Sequence, residues 1–192
     1  MSQPTTQFAP WLLGAAALLA TAPALAQQQL VPAESSIAFV SHQMGVPVDG
    51  HFQKFAAQVA FDPAKPAAAQ IKITVDTGSA TLGVKETDAE LPKPVWFNVA
   101  KFPQAVFQSK SVKALGAGKF EVTGQLAIKG QTRDVTVPVQ LTQSGAKTTA
   151  SGQFDMQRLT YKIGEEEWAD TSMVADQVQV KFKLVLTGMG KL

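Results

Sequence analysis

Between Lys119 and Leu141 the chain alternates with a period of two, and no other stretch restricts the fold as much. Phe120, Val122, Gly124, Leu126 and Ile128 hold every second position, with Glu121, Thr123 and Gln125 between them. After Gly130 the same beat returns as Val135, Val137, Val139 and Leu141, separated by Thr136, Pro138 and Gln140. Side chains on a strand point to opposite faces, so each run makes a ribbon with one apolar and one wet face. Lys129-Gly130 supplies the backbone freedom that a tight reversal needs. A lone two-stranded ribbon is marginal in water. The rest of the chain must therefore bring further strands to close over this hairpin.

Those strands can be followed along the sequence. Ser36 to Met44 alternates weakly and reads as a first strand, and Gly45 to Gly50 reads as a turn region. Phe55, Ala57, Val59 and Phe61 share one face of the next run, which Asp62-Pro63 ends. Ile71, Ile73 and Val75 make a third strand. Val84 to Leu91 turns polar and helical, and Pro92 and Pro94 stop it. A short strand follows around Ala105 to Ser109, another spans Thr148 to Phe154, and the last carries Val178, Val180, Phe182, Leu184 and Leu186. Gly164 to Asp170 is an acidic loop.

Strands at this spacing with hardly any helix indicate an all-β, antiparallel sandwich or barrel. Closure into a barrel removes the exposed edges that long apolar-faced strands would present. A barrel of about eight strands is filled by its own side chains or holds one small ligand. The inward residues are Phe, Val, Ile, Leu and Ala, which suits either solid packing or an apolar guest. Alternation leaves both open.

The N-terminus sets the compartment. Trp11 to Leu25 is apolar and Ala-rich and ends in Ala24-Leu25-Ala26 before Gln27-Gln28-Gln29. Such a run ending in small-x-small reads as a secretory signal peptide cleaved after Ala26, and it is short for a membrane span. The expected organisation is a signal peptide over residues 1–26 and one domain over 27–192, located in the periplasm. The chain contains no cysteine, which excludes disulfides, thiolate metal sites and a cysteine nucleophile. Its net charge of +2 gives no reason to expect a nucleic acid as partner.

Several motifs in fixed order carry a resemblance. Phe39, Met44-Gly45, Gly50-His51-Phe52 and Phe61-Asp62-Pro63 open the series. Asn98 to Phe107, then Val122-Thr123-Gly124-Gln125-Leu126 and Gly130-Gln131-Thr132, continue it. From about Gln29 to Thr187 the chain resembles the YceI family of bacterial secreted proteins. The resemblance implies a lipocalin-like barrel enclosing a polyisoprenoid or similar amphiphilic lipid, with the head group near the mouth. Burial of apolar area, worth about 25 cal/mol per Å², would drive such binding. Many members of that family carry His where this chain has Gln43, and His42 stands one place earlier. A one-residue shift on a strand moves a side chain to the other face. The segment Ile163 to Asp170 is similar to a subgroup that works beside membrane b-type cytochromes, which implies a quinone-like ligand and such a cytochrome as partner.

Candidate contacts divide by position. Phe39, Phe52, Phe107 and Phe154 lie on strands, where an aromatic either lines a tunnel or belongs to ordinary core. Trp96, Phe97 and Trp168 lie in irregular segments and suit the barrel mouth. Arg158 and Tyr161 stand before the acidic loop, as contacts to a polar head or as a surface pair. For catalysis the chain offers His42 and His51, close in sequence, but no Gly-x-Ser-x-Gly elbow and no recognised metal-ligand spacing. The expected protein is a binder without cofactor or metal. The alternative is a redox accessory or enzyme acting on a quinone.

Overall fold

A computed structural model describes residues 27–192; the expected signal peptide over 1–26 lies outside them. The strands are β1 (Gln27–Leu30), β2 (Ser36–Gln43), β3 (Val46–Phe52), β4 (Phe55–Ala60), β5 (Gln70–Asp76), β6 (Ala80–Thr81), β7 (Gln104–Gly116), β8 (Lys119–Ile128), β9 (Gln131–Ser144), β10 (Lys147–Gln157) and β11 (Gln177–Thr187). One short helix, α1, spans Lys85–Asp88. Every pairing is antiparallel.

Hydrogen bonds run β1-β4-β5-β7-β8-β9-β10-β11, and β11 returns to β1, so eight strands close a barrel. The three extra segments continue three of those eight. Along β11, Gln179 to Lys183 pair with β2 while Leu186 and Thr187 pair with β1. Thus β1 and β2 form one bent strand, interrupted by the turn of 3-10 helix Pro32–Glu34. Ser35 bridges that break: its hydroxyl donates to the Val31 carbonyl and accepts from the Val185 N–H. In the same way β3 runs into β4 and β5 into β6, with β3 paired to β6 and β4 to β5.

The central hairpin forms as its alternation requires. Residues of β8 opposite those of β9 stay in register from Lys119↔Gln140 to Ile128↔Gln131. Lys129 at φ 48° and Gly130 at φ 74° turn the chain. Two successive positive φ values match the twist of a two-residue hairpin, and glycine takes one at no steric cost. Phe120, Val122, Leu126, Ile128, Val137 and Leu141 are all buried.

Two expectations change. Val46–Phe52 is a strand, not a turn region, and the reversal is confined to Met44-Gly45, both at positive φ. Pro47 and Asp49 hid it, being poor strand formers, but they sit exposed on this strand's outer face. The strand begun near Ala105 runs on to Gly116, with register shifts at Ser109/Ser111 and Ala114/Gly116 that break the alternation.

Candidate ligand-binding lumen

The barrel is hollow. Its interior holds two cavities that share a belt of five residues, Ile37, Val75, Leu126, Phe154 and Val180. The inner cavity, about 170 Å³, is lined by apolar side chains alone. At its far end Phe61 and Phe120 meet edge-on, 5.2 Å between ring centroids. The outer cavity, about 240 Å³, adds Ser41, Gln43, Thr87, Glu90 and Arg158 to an otherwise apolar lining. Thr87 is exposed, so this cavity reaches solvent beside α1.

The size matters because voids are costly. At about 24 cal/mol per Å³, an empty inner cavity would cost on the order of 4 kcal/mol, a large part of a typical domain's stability. Apolar cavities near 150 Å³ take up small apolar molecules and stay dry. A guest chain that fills the space recovers the lost contacts.

The aromatic candidates are distributed between the two cavities. Phe39, Phe52, Trp96, Phe97, Phe154 and Trp168 line the outer cavity. Phe107 lines the inner one, and Phe154, in the belt, borders both. Phe39 packs on Phe52 at 5.4 Å, Phe52 on Phe97 at 6.0 Å, and Trp96 on Trp168 at 5.4 Å. Tyr161 borders neither cavity. It is 2% exposed, in an apolar cluster with Leu91, Ile128 and Ile163. Burial pushes its hydroxyl above the usual tyrosine range, with Arg133 acting weakly the other way.

Arg158 and Tyr161 are not a surface pair, since both are 2% exposed. Arg158 spends all five guanidinium N–H donors on backbone carbonyls. Nε donates to Ala175 at 3.0 Å, one terminal nitrogen to Ile163 and Gly164, the other to Trp168 and Val174 at 2.6 Å. Burial draws its pKa below the usual arginine value, while Asp176 pulls the other way. The side chain thereby fixes residues 163–176 across the mouth. Lys129, at the tip of the central hairpin, fastens the same segment through the Lys162 carbonyl at 2.6 Å and Glu165 at 2.9 Å. Val95 accepts from the Gly164 and Glu165 N–H groups and joins the two mouth loops.

Sequence reasoning named Arg158 as a contact to a polar head or a surface residue, and missed Ser41, Gln43, Thr87 and Glu90 in the polar rim. Ser41 and Gln43 extend the alternation Ile37, Phe39 by two more steps, and Met156 and Arg158 extend Phe154 likewise. The signal was present, but polarity at the strand ends masked it. Gln43 lines the cavity and the neighbouring His42 is exposed, as alternation demands. His51 is exposed too. The register sets His42 opposite Pro47 and His51 opposite Ala38, and neither borders the outer or the inner cavity. Among the described residues no group of three or more His, Asp or Glu is placed to hold a metal ion. No described helix is long and apolar enough to cross a membrane.

With this geometry in place, known proteins give a consistent comparison. A family model described as a YceI-like domain matches residues 28–186. A protein named YceI from Salmonella newport is 34% identical over 135 residues, covering 68% of this chain and 70% of that one. A UPF0312 protein from Azotobacter vinelandii is 33% identical over 133 residues, covering 67% and 69%. The crystal structure of BcnA from Burkholderia cenocepacia superposes with a TM-score of 0.80 at 44% identity, covering 82% of this chain and 99% of that one. A polyisoprenoid-binding domain from Saccharophagus degradans has the same fold, with a TM-score of 0.68 at 16% identity, covering 86% and 99%.

Proposed function

The chain belongs to the YceI-like family, and from that membership we propose that it is a non-enzymatic carrier that holds a polyisoprenoid or similar long-chain amphiphile in its lumen. The observation that carries the reading is the pair of apolar cavities meeting at one belt. An uncharged flexible chain gains its binding energy from apolar burial and needs little polar recognition along its length. Two adjoining cavities, one wholly apolar and one with a polar rim, suit a molecule with one polar end. The Saccharophagus domain, described as polyisoprenoid-binding, lends support. The exposed, separated histidines speak against a base directed into the lumen. The carrier works in the periplasm, after removal of residues 1–26.

Native mass spectrometry of gently purified protein tests this. The expected result is a bound mass that organic extraction releases as a prenyl lipid. A ligand-free mass under the same conditions contradicts it.

A second reading has the carrier present a quinone to a membrane b-type cytochrome. The observation favouring it is Trp168, which the Ile163–Asp170 segment brings to the lumen mouth. Adding the purified protein should then raise quinone turnover by membranes holding such a cytochrome. Unchanged turnover removes this version.

A further inference from the structure

Resting on the carrier reading, we infer that the mouth selects lipids whose head group is uncharged, a hydroxyl, carbonyl or amide, and disfavours chains ending in phosphate or carboxylate. The charged side chains bordering the outer cavity are Glu90 and Arg158. Glu90 carries the wrong sign for an anion, and the nearby Lys93 is held on it at 2.6 Å. Arg158 has the right sign but no donor to give. Its five N–H groups end on backbone carbonyls at 2.6 to 3.0 Å, and Asp176 lies close enough to affect its charge. A buried anion needs a cation with hydrogen bonds to spare, and none borders this cavity.

What the mouth does offer is neutral. The Ser41 hydroxyl and the Gln43 amide border the cavity and make no side-chain hydrogen bond among the described residues. A hydroxyl and an amide match a carbonyl or hydroxyl head through ordinary hydrogen bonds. The carboxylates of Glu166 and Glu167, exposed on the segment that carries Trp168, add to the field against an anion.

The test uses the delipidated protein and two probes of equal chain length, a polyprenol and its monophosphate, followed by tryptophan fluorescence at neutral pH. The expected result is binding of the alcohol at least about tenfold tighter, or about 1.4 kcal/mol. Equal affinity, or tighter binding of the phosphate, overturns the inference and leaves the carrier reading standing. Binding of neither probe overturns both. In Gln43→Lys a cation enters the rim, and the phosphate should gain affinity while the alcohol does not. An unmoved ratio in that variant shows that the head group lies elsewhere and also overturns the inference.

Discussion

The inner cavity is walled by regular strands and ends on a pair of phenylalanine rings, whereas the outer one is roofed by loops that one arginine holds together. The two ends use different physics. Strand walls rest on paired backbones and repeated apolar side chains, so no single residue carries them. The roof has little regular structure, and its carbonyls converge on Arg158. Removing one side chain should therefore damage the mouth far more than the floor. The division also suits a carrier, because a uniform apolar tube accepts chain of any identity while the rim reads the end of it.

The largest expected effect is that of Arg158→Met, which takes the guanidinium donors from five backbone carbonyls, three of those bonds fully buried. We expect a stability loss on the order of 4 kcal/mol, from the cost of unsatisfied buried polar groups. Hydrogen exchange should quicken across 158–176 and stay slow in β8 and β9. Equal loosening of both ends would break the comparison.

Gly152→Val probes the wall. A Cβ there would stand 2.2 Å from the Pro138 carbonyl and 2.6 Å from the Phe182 ring. Backbone contact leaves no cheap relief, and a loss of about 2 to 3 kcal/mol in chemical denaturation is expected. Native-like stability would mean that the strands flex more than the packed wall suggests.

Ala150→Phe fills part of the inner cavity, since Ala150 borders it. Long prenyl chains should bind about tenfold more weakly, or about 1.4 kcal/mol. Chains short enough to stay in the outer cavity should bind as before. Equal loss for both lengths would indicate that the cavities do not act in series.

The smallest expected effect concerns pH. The Asp88 carboxylate accepts from the Thr81 hydroxyl at 2.5 Å and the Leu82 N–H at 2.6 Å, and these bonds hold its pKa below the usual value of 3.8. A lowered carboxylate stabilises the fold above its unfolded pKa, and that contribution fades as pH falls through the folded value. Hydrogen exchange around α1 should thus quicken below about pH 4 while the inner strands keep their protection. In Asp88→Asn this step should vanish.

How much was legible follows the same division. Phe120 to Ile128, Val135 to Leu141 and Val178 to Leu184 alternate cleanly because one face is turned inward and the other is wetter. The central hairpin and the all-β class follow from such runs. Val46–Phe52 was hidden by Pro47 and Asp49, which are harmless where a strand's outer face meets solvent. Arg158 was the hardest residue to read. Its partners are carbonyls, which every residue carries, so no side-chain pattern announces them. Tyr161 failed as a cavity contact for a related reason: the turn of 3-10 helix at Arg158–Tyr161 breaks the alternation that would have oriented it. Phe39 and Phe154, in regular strands, took the positions their period assigned.

The most direct test of a continuous hollow lumen is a crystal structure of the protein grown with a long-chain polyprenol. The expected result is unbroken ligand density from the Ser41–Gln43 rim, past the belt of Ile37, Val75, Leu126, Phe154 and Val180, to the Phe61–Phe120 ring pair. Density that stops outside the belt, or an inner cavity filled by rotated side chains, would contradict it.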